Sequence, residues 1–332
     1  TNTTTEEKRI LMSLSIEDAT RFAQVFKNLV NGVSVAVLDK RQAVRLALTT
    51  MFAGGHLLLE DAPGTGKTAL ARAISAVIDG THSRIQFTPD LLPSDITGVN
   101  MFNQKTGEWV FHAGPVFAEI VLADEINRAS PKTQSALLEV MEEAQVTVDG
   151  VRRPAPQPFM VIATQNPVEQ AGTYPLPEAQ LDRFLMKTSI GYPSRSAMID
   201  VLDGSASPDR SKNLQPMVSG QDIVAWSALA ADNHTDRAVL DYVAALAEAT
   251  REDESSMLGV STRGAIGMVR CTRVWAAAQG RNFVLPDDVK ALAVPVWAHR
   301  IVVDPDAAFS GATSEGVIQR ALTSVPAPAV GA

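Results

Sequence analysis

Two glycines, a lysine and a threonine stand together in Gly64-Thr65-Gly66-Lys67-Thr68, after the apolar run Leu57-Leu58-Leu59 and the residues Glu60, Asp61, Ala62 and Pro63. Glycines at this spacing let the backbone wrap with its amides inward. The loop and the N-terminus of the next helix then form a cradle for phosphate oxygens. Lys67 would reach the β- and γ-phosphates of a nucleotide, and Thr68 would ligate Mg²⁺. The stretch Asp61 to Ala69 therefore reads as a Walker A loop with one departure. Asp61 occupies the first position, where the usual pattern has glycine, and its carboxylate must point away from bound phosphate.

A pair of acids, Asp124 and Glu125, follows the continuous apolar run Ile120-Val121-Leu122-Ala123. Such a run fits a parallel strand buried on both faces, and ligands of open α/β sheets sit at the C-terminal ends of such strands. Asp124 can hold Mg²⁺, usually through water. Glu125 can polarise the water that attacks a γ-phosphate, which makes this a Walker B strand. Another buried run, Phe159 to Thr164, ends in Gln165-Asn166-Pro167. An Asn before Pro is by itself a turn residue, but after an apolar strand Asn166 can orient the lytic water or touch the γ-phosphate. Arg183, in Leu181-Asp182-Arg183-Phe184, lies outside any recognisable phosphate site of its own chain. Supplied by a neighbouring subunit it would stabilise transition-state charge; the alternative is an ion pair with Asp182 or Glu178. Arg263 opens a helix after Ser261, at a position able to reach back to a γ-phosphate across a domain junction.

The elements that must position these groups follow from the hydrophobic pattern. Apolar residues recur at helical spacing from Ser15 to Val30 and again from about Arg41 to Met51. Val37 or Leu38 between them could cover an adenine, or the two helices could simply pack. Arg84 to Phe87 is a short strand. Val99 to Phe102 and Glu108 to Phe111 flank Asn103-Gln104-Lys105-Thr106-Gly107 as a hairpin. That hairpin is either a partner-binding device carrying Trp109 and Phe111 or one folded onto its own domain. Ser130 caps a helix with Pro131 at its first position, and Asp149-Gly150 marks a tight hairpin.

The fold class is thus α/β, a parallel sheet core with helices on both faces, followed by an all-helical lid. The expected limits are a core with an N-terminal helical segment over 1–195, a linker over 196–220 and a helical domain over 221–332 whose tail, from Pro326, is disordered.

With 332 residues and 45% apolar content there is material for two cores. A net charge of -8 and a pI of about 5.2 leave no basic excess for a nucleic-acid backbone. The lone Cys271 excludes an internal disulfide framework and reads as a core residue of a helix. No apolar stretch is long enough to span a membrane and no leader pattern opens the chain, so a cytoplasmic location is expected. His56, His82, His112, His234 and His299 lack metal-ligand spacing, and His56 reads as a packing or capping residue.

Several segments together resemble the AAA+ ATPases, and more narrowly the MoxR family within the helix-2-insert clade. They are Leu122 to Ala129, Pro131 to Glu139, Ala163 to Gln170, and Gly172 to Met186. The resemblance covers about residues 30 to 305. It implies Walker A at Gly64 to Thr68, Walker B at Asp124 and Glu125, sensor 1 at Asn166, an arginine finger at Arg183 and sensor 2 at Arg263. The first hairpin then corresponds to the helix-2 insert, and the Val146 to Val151 hairpin to the one preceding sensor 1. Two departures stand out: Val37-Leu38-Asp39-Lys40 lacks the glycine common there, and Ser261-Thr262-Arg263 lacks the proline usual before the arginine.

The leading reading is an ATP-hydrolysing, Mg²⁺-dependent ring, a homo-oligomer expected to be hexameric, that remodels or matures a client protein. The resemblance implies a partner with a von Willebrand factor A domain. The alternatives are a nucleotide-gated assembly scaffold with negligible turnover and a metal-chelatase-type ATPase subunit. Glu125, Asn166 and Arg183 together favour turnover over mere binding.

Overall fold

The computed structural model describes residues 14–61, 64–166, 173–203 and 210–329. Ala62 and Pro63 of the phosphate loop, and Pro167 to Gly172 of the segment after Asn166, lie outside the described residues. The chain divides into two compact units. One holds Leu29–Phe184 and Thr188–Val224; the other holds the described residues up to Asn28, Leu185–Lys187, and those from Ala225 onward. The division falls inside α1 (Ile16–Ala36), so the start of that helix groups with the helical unit, whereas the sequence suggested that it belonged to the core.

In the α/β unit, α2 (Arg41–Phe52) precedes β1 (Leu57–Glu60). Asp39, ahead of α2, has φ 57°. Asp is among the few residues that tolerate this left-handed region, so it turns the chain where no glycine is present. The order continues with α3 (Lys67–Val77), β2 (His82–Gln86), α4 (Pro93–Thr97), β3 (Gly98–Asn103), β4 (Glu108–Ala113) and β5 (Ile120–Asp124). Then come α5 (Pro131–Glu143), β6 (Gln145–Val148), β7 (Val151–Pro154), β8 (Met160–Gln165), α6 (Glu178–Leu181), β9 (Met186–Thr188), of which only Thr188 groups with this unit, and α7 (Arg195–Leu202). Helix α7 occupies the start of the stretch expected to be a linker.

The main sheet runs β2-β5-β8-β1-β9. Its parallel registers pair Ile85 with Ala123, Val121 with Val161, and Leu58 with Ala163. Every residue of β5 is buried, as are Leu57, Leu58 and Leu59. Each large apolar side chain hidden in this way contributes about 1.5–3 kcal/mol, so the sheet is a rigid base for the groups at its strand ends. One imidazole adds a polar tie. His56 Nδ1 accepts from the Val161 N–H at 2.9 Å, which leaves Nε2 as the protonated nitrogen, donating to Met141 O at 3.0 Å. His56 is therefore a packing residue, fastening β8 to the end of α5.

Two antiparallel hairpins complete the unit. Trp109 lies across from Phe102 in β3–β4, and Val148 across from Val151 in β6–β7. Asp149 (φ 50°) and Gly150 (φ 78°) form the left-handed turn that an Asp-Gly pair favours. The hairpins touch: Asn100 donates to Asp149 Oδ2 at 2.6 Å, and the Arg153 guanidinium lies 3.8 Å from the Phe111 ring centroid.

The helical unit contains most of α8 (Gly220–Ala231), then α9 (Arg237–Glu252), β10 (Ser256–Leu258), α10 (Thr262–Ala277), α11 (Pro286–Trp297), β11 (Val302–Val303), α12 (Pro305–Phe309) and α13 (Ser314–Ser324). Asp236, Ser261 and Thr313 cap α9, α10 and α13 by accepting from the amides of Ala238, Gly264 and Gly316. Trp297 is fully buried and its indole N–H donates to Gly264 O at 3.0 Å. Cys271 is buried in the same core, and desolvation pushes its thiol up to about 12. No helix among the described residues is long and apolar enough to cross a membrane.

Candidate functional site

Helix α3 begins at Lys67 with Gly66 as its N-cap at φ 95°, and Gly64 lies at φ 79°. A β-carbon added to either glycine would meet no atom within 4 Å. The two positions therefore need glycine for their backbone conformation rather than for lack of space, and the loop's face is open. Gly66 offers no side chain to cap α3, so the first-turn amides are disposed toward an incoming anion. The Lys67 ammonium donates to Asp61 O at 3.2 Å.

The departure at Asp61 has a structural explanation. Its side chain is buried and accepts two backbone N–H bonds, from Ile190 to Oδ2 at 2.6 Å and from Gly191 to Oδ1 at 2.8 Å. The carboxylate is thus committed to the segment after β9.

Asp124 ends β5 with both carboxylate oxygens engaged. Oδ1 accepts from the Thr164 hydroxyl at 2.7 Å, while Oδ2 accepts from Arg84 Nη2 at 2.6 Å and Nε at 3.2 Å. Glu125 follows in the left-handed region, φ 58° and ψ 49°. For a residue with a β-carbon that conformation costs about 1–2 kcal/mol, and three bonds hold it. The Glu125 N–H donates to Thr164 Oγ1 at 2.9 Å; its Oε2 accepts from Gln86 at 2.9 Å and from Arg128 at 3.0 Å. One hydroxyl, that of Thr164, thereby orients both acids.

Arg84 and Gln86 alternate along β2 and so share a face, and Gln86 is the register partner of Asp124. A small cavity of about 90 Å³ on this side is lined by Thr68, Ala71, Arg72, Arg84 and Leu122. Thr68 and the cation bonded to Asp124 therefore border one space, which suits a hydroxyl and a carboxylate that would share Mg²⁺. Asn166, buried, stands directly after β8, the strand between β5 and β1. Parallel pairing thus brings the ends of β1, β5 and β8 side by side, and with them the phosphate loop, Asp124, Glu125 and Asn166.

Arg183 and Arg263 are carried by other segments. Arg183 ion-pairs with Glu142 at 2.9 Å and borders a polar recess of about 340 Å³ lined by Glu139, Glu142, Glu143, Gln145, Thr147 and Arg152. Neither of its sequence neighbours proposed as partners, Asp182 or Glu178, appears in that recess. Arg263 is exposed as the second residue of α10, in the helical unit. Val37 is buried. Sequence reasoning missed Arg84, Gln86, Arg128 and Thr164; only the two-residue alternation of Arg84 and Gln86 in the strand after the phosphate-loop helix carried a signal.

The chain matches the family model described as ATPase family associated with various cellular activities (AAA) over residues 56–186, and the AAA lid domain over residues 248–321. It is 44% identical to the uncharacterized protein YeaC of Bacillus subtilis, covering 90% of this chain and 93% of that one. Chaperone MoxR1 of Mycobacterium tuberculosis is 40% identical, with 89% and 80% covered. Protein MoxR of Paracoccus denitrificans is 33% identical, with 90% and 94% covered. A crystal structure of a candidate ATPase from Cytophaga hutchinsonii superposes with a TM-score of 0.86 at 35% identity, covering 94% of this chain and 98% of that chain.

Proposed function

The chain belongs to the MoxR family of AAA+ ATPases, and from that premise we propose that it hydrolyses ATP at the α3–β5–β8 site as part of a ring that remodels client proteins. The observation that carries this reading is the convergence of the open glycine loop, the two Thr164-oriented acids and Asn166 at neighbouring strand ends.

In this reading the Gly64 to Thr68 backbone and Lys67 bind the phosphates, and Thr68 and Asp124 hold Mg²⁺. Held there, the metal would neutralise charge on the phosphates. Glu125 takes the proton of the attacking water, which Asn166 orients from the adjacent strand. For that role the Glu125 carboxylate must turn to the water from its present donors, Gln86 and Arg128. Arg183 acts on the site of a neighbouring subunit, which makes each site dependent on assembly, and Arg263 takes the sensor 2 role that the family resemblance implies. We assign the chain a cytoplasmic, homo-hexameric state and a von Willebrand factor A domain partner, following the family resemblance.

The test is steady-state ATP hydrolysis against protein concentration, with assembly mass recorded in parallel. Specific activity that rises as a ring forms supports a shared site. Constant activity in a monomer means that one chain suffices and removes the trans role of Arg183. A ring that binds ATP without turnover favours the scaffold reading.

A further inference from the structure

Asp124 is buried, and the cation bonded to it comes from the protein itself. Arg84, on β2, places Nη2 2.6 Å and Nε 3.2 Å from Asp124 Oδ2. The same Nη2 also donates to Gln86 Oε1 at 2.7 Å, which fixes the fork. The Asp124 side chain is only 12% exposed, whereas that of Arg84 is 49% exposed. A carboxylate in such a place needs a counter-charge, because an unpaired buried charge is costly. The half-exposed guanidinium, by contrast, has a path into solvent. Arg84 also lines the small cavity that Thr68 borders.

The geometry points to Arg84 as a built-in stand-in for the divalent cation: a positioning residue that neutralises Asp124 when no metal is bound and must vacate it when one is. The inference rests on the reading of Asp124 as a metal residue. Its chemistry is an exchange of partners. Asp124 gives up two charge-assisted hydrogen bonds as it turns to the metal's shell, and Arg84 withdraws from the dication toward water. Two consequences follow in opposite directions. Metal binding is weakened by the competition, and metal-free nucleotide binding is helped, since Arg84 masks a carboxylate that would otherwise repel phosphate.

The experiment titrates Mg²⁺ into the full chain with a fluorescent, non-hydrolysable ATP analogue, comparing the wild type with Arg84→Ala, Arg84→Lys and Asp124→Asn. Thermal melts serve as the folding control. Losing charge-assisted bonds of this type corresponds to a change of about 10-fold. Arg84→Ala should therefore lower the Mg²⁺ half-saturation by about 10-fold while weakening metal-free binding of the analogue, and Arg84→Lys should fall between. A merely damaged fold weakens both, so weakening in both conditions overturns the assignment. So does an unchanged Mg²⁺ midpoint in Arg84→Ala when Asp124→Asn abolishes the metal dependence; in that case Asp124 keeps its role. If Asp124→Asn retains the wild-type metal dependence, the metal reading of Asp124 itself falls, and the role of Arg84 with it.

Discussion

The Arg183 guanidinium is held 2.9 Å from the carboxylate of Glu142, in its own chain. In the proposed trans role this ion pair would park the arginine when no neighbour is present, and a partly exposed pair, worth about 0–1 kcal/mol, would release it at little cost. In mixtures of Arg183→Ala and Glu125→Gln subunits, each inactive by itself, some interfaces pair an intact Glu125 with an intact Arg183. ATPase activity should recover partly in mixed rings confirmed by mass. Proven mixed rings with no recovery would exclude action in trans.

Glu125→Gln preserves side-chain shape and the backbone N–H bond to Thr164 Oγ1 but removes the base. Nucleotide affinity should stay within a few-fold of wild type while turnover falls by at least about 10²-fold, the usual worth of a general base. Near-normal turnover would take Glu125 out of that role.

Asp61→Ala should leave two backbone amides, those of Ile190 and Gly191, without their acceptor. A lost acceptor for a buried donor costs about 1–3 kcal/mol. A clear drop in the melting temperature is expected, with Asp61→Asn milder because one amide oxygen still accepts. Asp61→Gly, which restores the usual loop residue, should be destabilising too. A melting temperature equal to wild type in Asp61→Ala would show that the bonds contribute nothing.

Acid stability should depend on the helical unit's Asp253. Two hydrogen bonds from Arg320 at 2.7 and 2.8 Å, assisted by Ser255, hold its carboxyl far below the usual range. A depressed carboxyl contributes stability that is complete above its unfolded value of about 3.9 and lost as the pH falls toward the folded value. Arg320→Ala should therefore lower stability at neutral pH and flatten its dependence on the acid side. Equal wild-type and variant curves from pH 7 to the acid transition would refute the linkage.

Cys271 should be silent toward thiol reagents in the folded protein at pH 8 and react once per chain in denaturant. Burial places its thiol at about 12, so almost no thiolate is present, and the core blocks access. Rapid native labelling would mean that α10 opens.

These predictions draw unequally on sequence. The phosphate loop and the Asp124–Glu125 pair were legible because each is a local pattern: an apolar strand, then residues whose chemistry is fixed by spacing. Arg84, Gln86 and Thr164 were not. Each is an ordinary strand residue until the order β2-β5-β8 sets it beside the acids, and that order is a non-local outcome. The partner of Arg183 was missed for the same reason, since Glu142 lies 41 positions earlier, at the end of α5. Helix α7 was hidden by the Gly, Ser and Pro residues around it, and α12 and α13 are short helices whose capping residues Asp304 and Thr313 gave the only local sign.

The two small hairpins are joined at two points, Asn100 to Asp149 and Arg153 against Phe111. Two attachments leave little freedom to swing independently, so the hairpins form one lever. A load on the exposed Trp109 tip is shared by both ribbons before it reaches the sheet.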